Sequence, residues 1–200
     1  MDRKEVKKER IKRYFLDAAK EIIRTEGVAN LTTKKIGDKA AYSCASIYNY
    51  FENFNELVCL CLEEMAAECA GTVRLQVTAD AAGDRILEFA RGMIEANASD
   101  PFTYSPFLST DIDYGFFFRR DGHHFVHPAY PLLLEEVSGL PAIRSLQPDS
   151  AAKKARTTAD ILTCVFHAKL HFYLRYNTPP SIAELQNEIE SECRCILEGL

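Results

Sequence analysis

No run of apolar residues in this 200-residue chain approaches the roughly 18 that a membrane-spanning helix needs. The first residues, Asp2, Arg3, Lys4 and Glu5, are charged and carry none of the apolar stretch of a secretory leader. The expectation is a cytoplasmic protein with no membrane partner. There is no internal repeat, no low-complexity tract and no convincing strand pattern. No glycine-rich phosphate loop, GxSxG elbow or HExxH pair occurs, so an enzyme is not expected and no cofactor is implied. The seven cysteines do not read as a disulfide framework, because their number is odd and the chain is long enough to build a core without one. Cys59/Cys61 and Cys193/Cys195 stand two apart in helical segments. Such pairs point to different sides of a helix and neither bridge nor chelate together.

What is present is an uneven distribution of charge. The net charge is −5, which by itself argues against a nucleic-acid binder. Residues 1–39 nevertheless hold 12 Lys/Arg against 7 Asp/Glu, a surplus of +5, while residues 61–200 hold 12 against 20, a deficit of −8. A basic head on an acidic body fits a chain that meets DNA at one end only. A solvated face on a first helix accounts for the basic residues equally well.

The periodicity predicts an all-α protein. Residues 6–26 place Ile11, Phe15, Ala18, Ala19, Ile22 and Ile23 on one stripe, with Gly27 at the C-cap. Thr32 caps a short helix carrying Ile36 and Ala40, and Ala41-Tyr42 make a tight connection. Ser43 caps a third helix from Cys44 to about Tyr50, and Asn53 a fourth, longer one. Residues 82–98 form another amphipathic helix, stopped before Pro101. A short helix is expected over 132–137, a long one over 150–176, and a last one from Ser181, with Ile182, Leu185, Ile189, Cys193, Ile196 and Leu200 in one row.

Two short capped helices joined by a tight turn are the skeleton of a helix-turn-helix. The second must be slim and polar outside to enter the major groove, so that its N-terminal amides and small side chains approach bases and phosphates. Cys44, Ala45, Ser46 and Asn49 are small or hydrogen-bonding, Tyr48 and Tyr50 add hydroxyls, and Ile47 and Phe51 can pin the helix to its scaffold. Three stretches, FLDAAKEIIRTEG (15–27), LTTKKIGDKA (31–40) and SCASIYNYFENFNEL (43–57), resemble the DNA-binding signature of the tetracycline-repressor (TetR/AcrR) family. The resemblance covers about a quarter of the chain.

That resemblance implies a DNA-binding domain over 1–53 and a helical effector-binding and dimerisation domain over 54–200. It puts Lys34 near a base, Thr33, Ser46 and Tyr50 at phosphates, Cys44, Ala45 and Tyr48 at base edges, and Asn49 at either. The implied partners are double-stranded operator DNA, a second copy of the chain and an unknown small-molecule effector. The expected function is a ligand-responsive repressor. Ligand-activated binding, a non-DNA interaction module and, last, an enzyme are the alternatives. Two-fold symmetry would space the recognition helices about 34–36 Å apart, or slightly more.

The final two helices are the expected dimer interface, through Ile161, Val165, Phe172, Ile182, Leu185, Ile189 and Ile196. Residues 101–131 are rich in aromatics, histidine and arginine. Phe102, Tyr104, Phe107, Tyr114, Phe117, Arg119 and His123, with Phe89, Met93, Phe166 and Tyr173, make a candidate ligand pocket. Ordinary core packing explains the same aromatics. His123 and His127 would share a helix face as two metal ligands do, but Gly122 and Pro128 crowd them and no acidic or thiol ligand completes a recognised spacing, so no metal is expected. Oxidation of Cys44 in the recognition helix would set charge or bulk against DNA, yet no basic neighbour activates that thiol in the sequence.

Two positions depart from the family pattern. Ala41 stands where glycine is usual in the turn, and alanine tolerates positive φ poorly. Phe54 stands where a lysine usually meets a phosphate, although Lys7, Lys8 and Lys12 of the first helix offer compensating charge. Phe54→Lys is expected to steepen the salt dependence of DNA binding by about 0.9 log units per phosphate regained. Equal slopes for the two proteins in a fluorescence-anisotropy titration would remove the idea of a lost contact.

Overall fold

The computed structural model describes residues 2–100, 112–113, 115–116 and 129–200. The elements are α1 (Arg3–Glu26), a 3-10 turn (Val28–Asn30), α2 (Thr33–Ala40), a 3-10 helix (Cys44–Asn49), α3 (Phe54–Gln76), α4 (Ala82–Ser99), α5 (Tyr130–Ser138), α6 (Pro141–Arg144), α7 (Pro148–Tyr176) and α8 (Ile182–Glu198). The described residues contain no strand, and none of their helices is long and apolar enough to cross a membrane. They fall into two compact units. One holds 2–65 with 112, 113, 115 and 116, and the other holds 66–100 and 129–200. The division lies inside α3, twelve residues beyond the boundary expected after 53, because the first turns of α3 pack with α1.

In the first unit, the buried face of α1 consists of Ile11, Phe15, Leu16, Ala18, Ala19, Ile22 and Ile23. The helix starts at Arg3 rather than at residue 6, because the Asp2 backbone N–H donates to the Glu5 carboxylate at 3.0 Å and closes the first turn as a capping box does. Gly27 ends it with φ 81° and ψ 160°, a glycine conformation that differs from the left-handed one in which helices commonly end. The Thr32 hydroxyl accepts from the Lys35 N–H at 3.2 Å and starts α2. Asn53 Oδ1 accepts from the Glu56 N–H at 2.8 Å and starts α3. Lys20, nearly buried, pairs with Glu64 at 3.0 Å, and Arg13 reaches the same carboxylate at 2.5 Å. A buried ammonium is tolerable only with such partners.

The second unit closes around Ile86, Phe89, Ala90, Met93 and Ile94 of α4, Leu133 and Val137 of α5, Ala159, Leu162, Phe166 and Leu170 of α7, and Leu185, Ile189 and Cys193 of α8, all buried. α8 packs on α4 and α7. Gly92 lets α4 approach the end of α3 closely, since a Cβ there would lie 2.6 Å from Val73 Cγ1. Asn177, left-handed at φ 51°, ends α7, and the Ser181 hydroxyl caps α8 by accepting from the Glu184 N–H at 3.2 Å.

One carboxylate ties three helices of this unit. Glu136 of α5 is buried, with Arg74 of α3 and Arg85 of α4 each 2.7 Å away. The two arginines keep 32% and 28% of their side chains exposed, so water screens part of the attraction. Glu136→Gln is expected to cost about 2 kcal/mol, below the roughly 3–5 kcal/mol of a wholly buried broken pair. The urea unfolding midpoint reads this, and an unchanged midpoint would mean that the cluster stabilises nothing.

Candidate nucleic-acid interface

The helix-turn-helix is assembled on α1. Ile36 of α2, Ile47 of the 3-10 helix and Phe51 are buried beneath it. The Phe15 ring lies 5.4 Å from that of Tyr42, 5.7 Å from Tyr50 and 6.4 Å from Phe51. These are separations at which aromatic pairs attract edge to face. The three partners stand on either side of residues 44–49, so one side chain of α1 holds both ends of the short helix.

The outer face is what DNA would meet. Cys44, Ala45 and Asn49 are exposed, Ser46 and Tyr50 half-buried, and Tyr48 is 56% exposed. Ser43 and Ser46 share a hydroxyl–hydroxyl hydrogen bond of 2.7 Å. The element is a 3-10 helix, narrower than the α-helix expected, and Ser43 gives it no side-chain cap. On α2, Thr33 is half-buried and Lys34 exposed. Lys35 is held by Glu26 at 2.5 Å and Lys39 by Glu21 at 2.6 Å. Lys34 makes no ion pair among the described residues, so it is the cation of α2 left for an outside partner.

The turn bears out the concern over Ala41, which adopts φ 60° and ψ 37°. That left-handed conformation costs an L-residue roughly 1–2 kcal/mol. Reasoning from sequence missed Gly37. A Cβ there would lie 2.8 Å from the Tyr42 carbonyl oxygen and 2.9 Å from the Cys44 nitrogen. The backbone entering the 3-10 helix therefore crosses α2 at a point that only glycine leaves open. A glycine inside a helical pattern was the available signal.

Of the candidate pocket residues, Phe102, Tyr104, Phe107, Tyr114, Phe117, Arg119 and His123 lie outside the described residues, as does the question of metal at His123 and His127. Phe89, Met93 and Phe166 are buried in the second unit and Tyr173 is half-buried. Beside Phe166, burial and then the neighbouring His171 hold His167 below the usual histidine range. An open groove of about 230 Å³ near the end of α3 is rimmed by Glu88, Arg91 and Glu95, a charged lining unlike that of a typical small-molecule site.

On the expected dimer surface, Ile161 (45%) and Phe172 (52%) are exposed, Ile182 is exposed, and Val165 and Ile196 are half-buried. Leu185 and Ile189 are corrections. Both are buried within the chain itself, because the α8 row carrying them faces α4 and α7. The cysteines are free. Cys44, Cys164 and Cys195 are exposed, and Cys59, Cys61 and Cys193 buried. Burial pushes the Cys193 thiol up to about 12 and that of Cys61 higher still, so neither yields a thiolate at neutral pH.

Residues 15–58 match the family model described as bacterial regulatory proteins, tetR family. Over these residues, which span the end of the basic first helix and the exposed 3-10 helix, the chain is similar to the DNA-binding domain of that family. The fold is similar to that of Thermus thermophilus FadR, a TetR family transcriptional repressor solved in complex with lauroyl-CoA, at 20% identity and a TM-score of 0.69 over 94% of each chain. It is also similar to RolR in complex with resorcinol (15% identity, TM-score 0.62, 95% of this chain and 94% of that one). A third likeness is to a tetR-family transcriptional regulator from Streptomyces coelicolor (14% identity, TM-score 0.61, 95% and 81%). At these identities the likeness is one of fold. Comparison with curated proteins finds none that matches.

Ala41→Gly is expected to raise stability by about 1 kcal/mol as the left-handed strain is relieved. Gly37→Ala is expected to lower it by about 1–3 kcal/mol through overpacking against backbone and to weaken DNA binding. Urea unfolding of both variants checks the pair, and like effects of the two substitutions would contradict this account of the turn.

Proposed function

We propose that the chain is a ligand-responsive transcriptional repressor that binds a pseudo-palindromic operator as a dimer. The observation that carries the reading is the exposed, uncharged face of the 3-10 helix, Cys44, Ala45, Tyr48 and Asn49, together with an exposed Lys34 on α2 that makes no ion pair among the described residues. Small and hydrogen-bonding groups read base edges, and a cation near a base adds a donor for the acceptor edge of guanine. A buried or charge-paired face would serve neither purpose.

Dimerisation is supported by the outer face of α7. Ile161, Val165, Ala168, Phe172 and Tyr176 recur at helical spacing along it, and Ile161, Phe172 and Tyr176 are among the exposed large apolar residues. A second copy of the same helix is the simplest cover for such a stripe. Ligand response is supported by the solved relatives, one holding lauroyl-CoA and another resorcinol. In the second unit of this chain Phe89, Met93 and Phe166 are buried and apolar, and Tyr173 is half-buried. A ligand that binds one arrangement of the dimer more tightly shifts the population away from the operator-binding one.

The first experiment is selection of genomic fragments by the purified protein, followed by sequencing. A single enriched pseudo-palindrome is the expected result, with half-sites about one helical turn apart. Enrichment of an isolated half-site would remove the dimer from the reading. Absence of any enriched sequence would favour an interaction module that does not read DNA.

A further inference from the structure

α1 extends well beyond the core it packs against. Its inward stripe is buried from Ile11 onward, whereas every residue from Asp2 to Arg10 is exposed. Helical spacing continues the stripe backwards from Ile11 through Lys7 and Lys4, and from Phe15 and Lys12 through Lys8. The stripe is apolar where protein covers it and lysine where protein stops. Contacts one or two turns further along fix the side on which it lies. Phe15 faces Tyr42 and Tyr50, and Lys12 Nζ sits 5.4 Å above the Phe51 ring. Those rings bracket the Cys44–Asn49 helix, so the three lysines project past its edge from the face of α1 that supports it.

Among the described residues, the acidic side chains of the same turns form no ion pair with these lysines. Glu5 is engaged by the Asp2 N–H, and Glu9 lies on the row leading to Arg13, round the helix from the stripe. Among the described residues, Lys4, Lys7 and Lys8 make no ion pair, whereas Lys20, Lys35 and Lys39 are all paired. A helix start with no packing is marginal by itself, and repulsion among its lysines weakens it further. A polyanion running alongside would relieve both.

We propose that Lys4, Lys7 and Lys8 form a cationic arm that grips the phosphodiester backbone of duplex DNA flanking the base pairs read by the 3-10 helix. The proposal rests on the DNA-binding reading and adds a second stretch of the partner outside the half-site. The arm supplies affinity and orientation without reading sequence, and it replaces charge that Phe54 does not provide. Lys12, engaged over Phe51, is a strut of the domain and not part of the arm.

The test uses the full chain and the selected operator in two duplexes, one ending at the outer base pairs of the palindrome and one longer by about one helical turn at each end. Wild type is expected to bind the longer duplex more tightly. Lys4→Gln/Lys7→Gln/Lys8→Gln is expected to lose that preference, and its slope of log affinity against log salt should be shallower by about 0.9 per lysine that meets a phosphate. Its unfolding midpoint should not fall, because the three side chains are exposed and their removal lessens repulsion. Lys4→Arg/Lys7→Arg/Lys8→Arg should behave as wild type. A glutamine variant that keeps the wild-type slope and length preference overturns the arm alone. A wild-type protein that binds neither duplex overturns the DNA-binding reading with it.

Discussion

A 3-10 helix of six residues cannot hold its own conformation in water. Its hydrogen bonds are poorly aligned and too few to offset the entropy of fixing the chain. Everything the first unit presents outward therefore depends on how Cys44–Asn49 is held from beneath. Phe15 does most of this by meeting Tyr42 before the segment and Tyr50 and Phe51 after it, while Ile47 is buried at its middle. With the ends anchored and the centre plugged, the segment needs no large apolar side chain on its outer face. That face is then free to be small and polar.

Ion pairing divides the cations of this unit into two groups. Lys20, Lys35 and Lys39 are tied to Glu64, Glu26 and Glu21, and each pair joins α1 to another element. The exposed pairs of Lys35 and Lys39 contribute little individually, unlike that of the nearly buried Lys20, but all three fix which lysines are committed to the fold. Lys34 and the lysines at the start of α1 are left uncommitted. In the second unit, the carboxylate of Glu136 gathers Arg74 and Arg85, and Glu88 accepts the N–H groups of Ala79 and Thr78, which holds its carboxyl below the usual range. Both cases use one acid to fasten the junction of α3 and α4.

Much of this was legible because capping and periodicity are local. Thr32, Asn53 and Ser181 each cap the helix expected of them, and Ile36, Ile47 and Phe51 fall in the small core. The misses are of other kinds. The start of α1 at Arg3 left no mark in apolar periodicity, because its first turns bury nothing. The choice between a 3-10 helix and an α-helix at Cys44 turns on a tertiary anchor rather than on composition. Leu185 and Ile189 have the pattern expected of an interface residue and of a core residue alike, and only the position of α4 and α7 separates the two. Gly37 matters through a neighbour that arrives from five residues away.

The uncharged face of the 3-10 helix has a consequence for how such a protein would behave as cell conditions change. On meeting bases, Cys44, Ala45, Tyr48 and Asn49 would release no counterions, whereas lysines meeting phosphates would. Ionic strength would therefore scale occupancy at all sites together and leave their ranking alone. A change in salt concentration would raise or lower how much DNA is covered without redirecting the protein from one sequence to another.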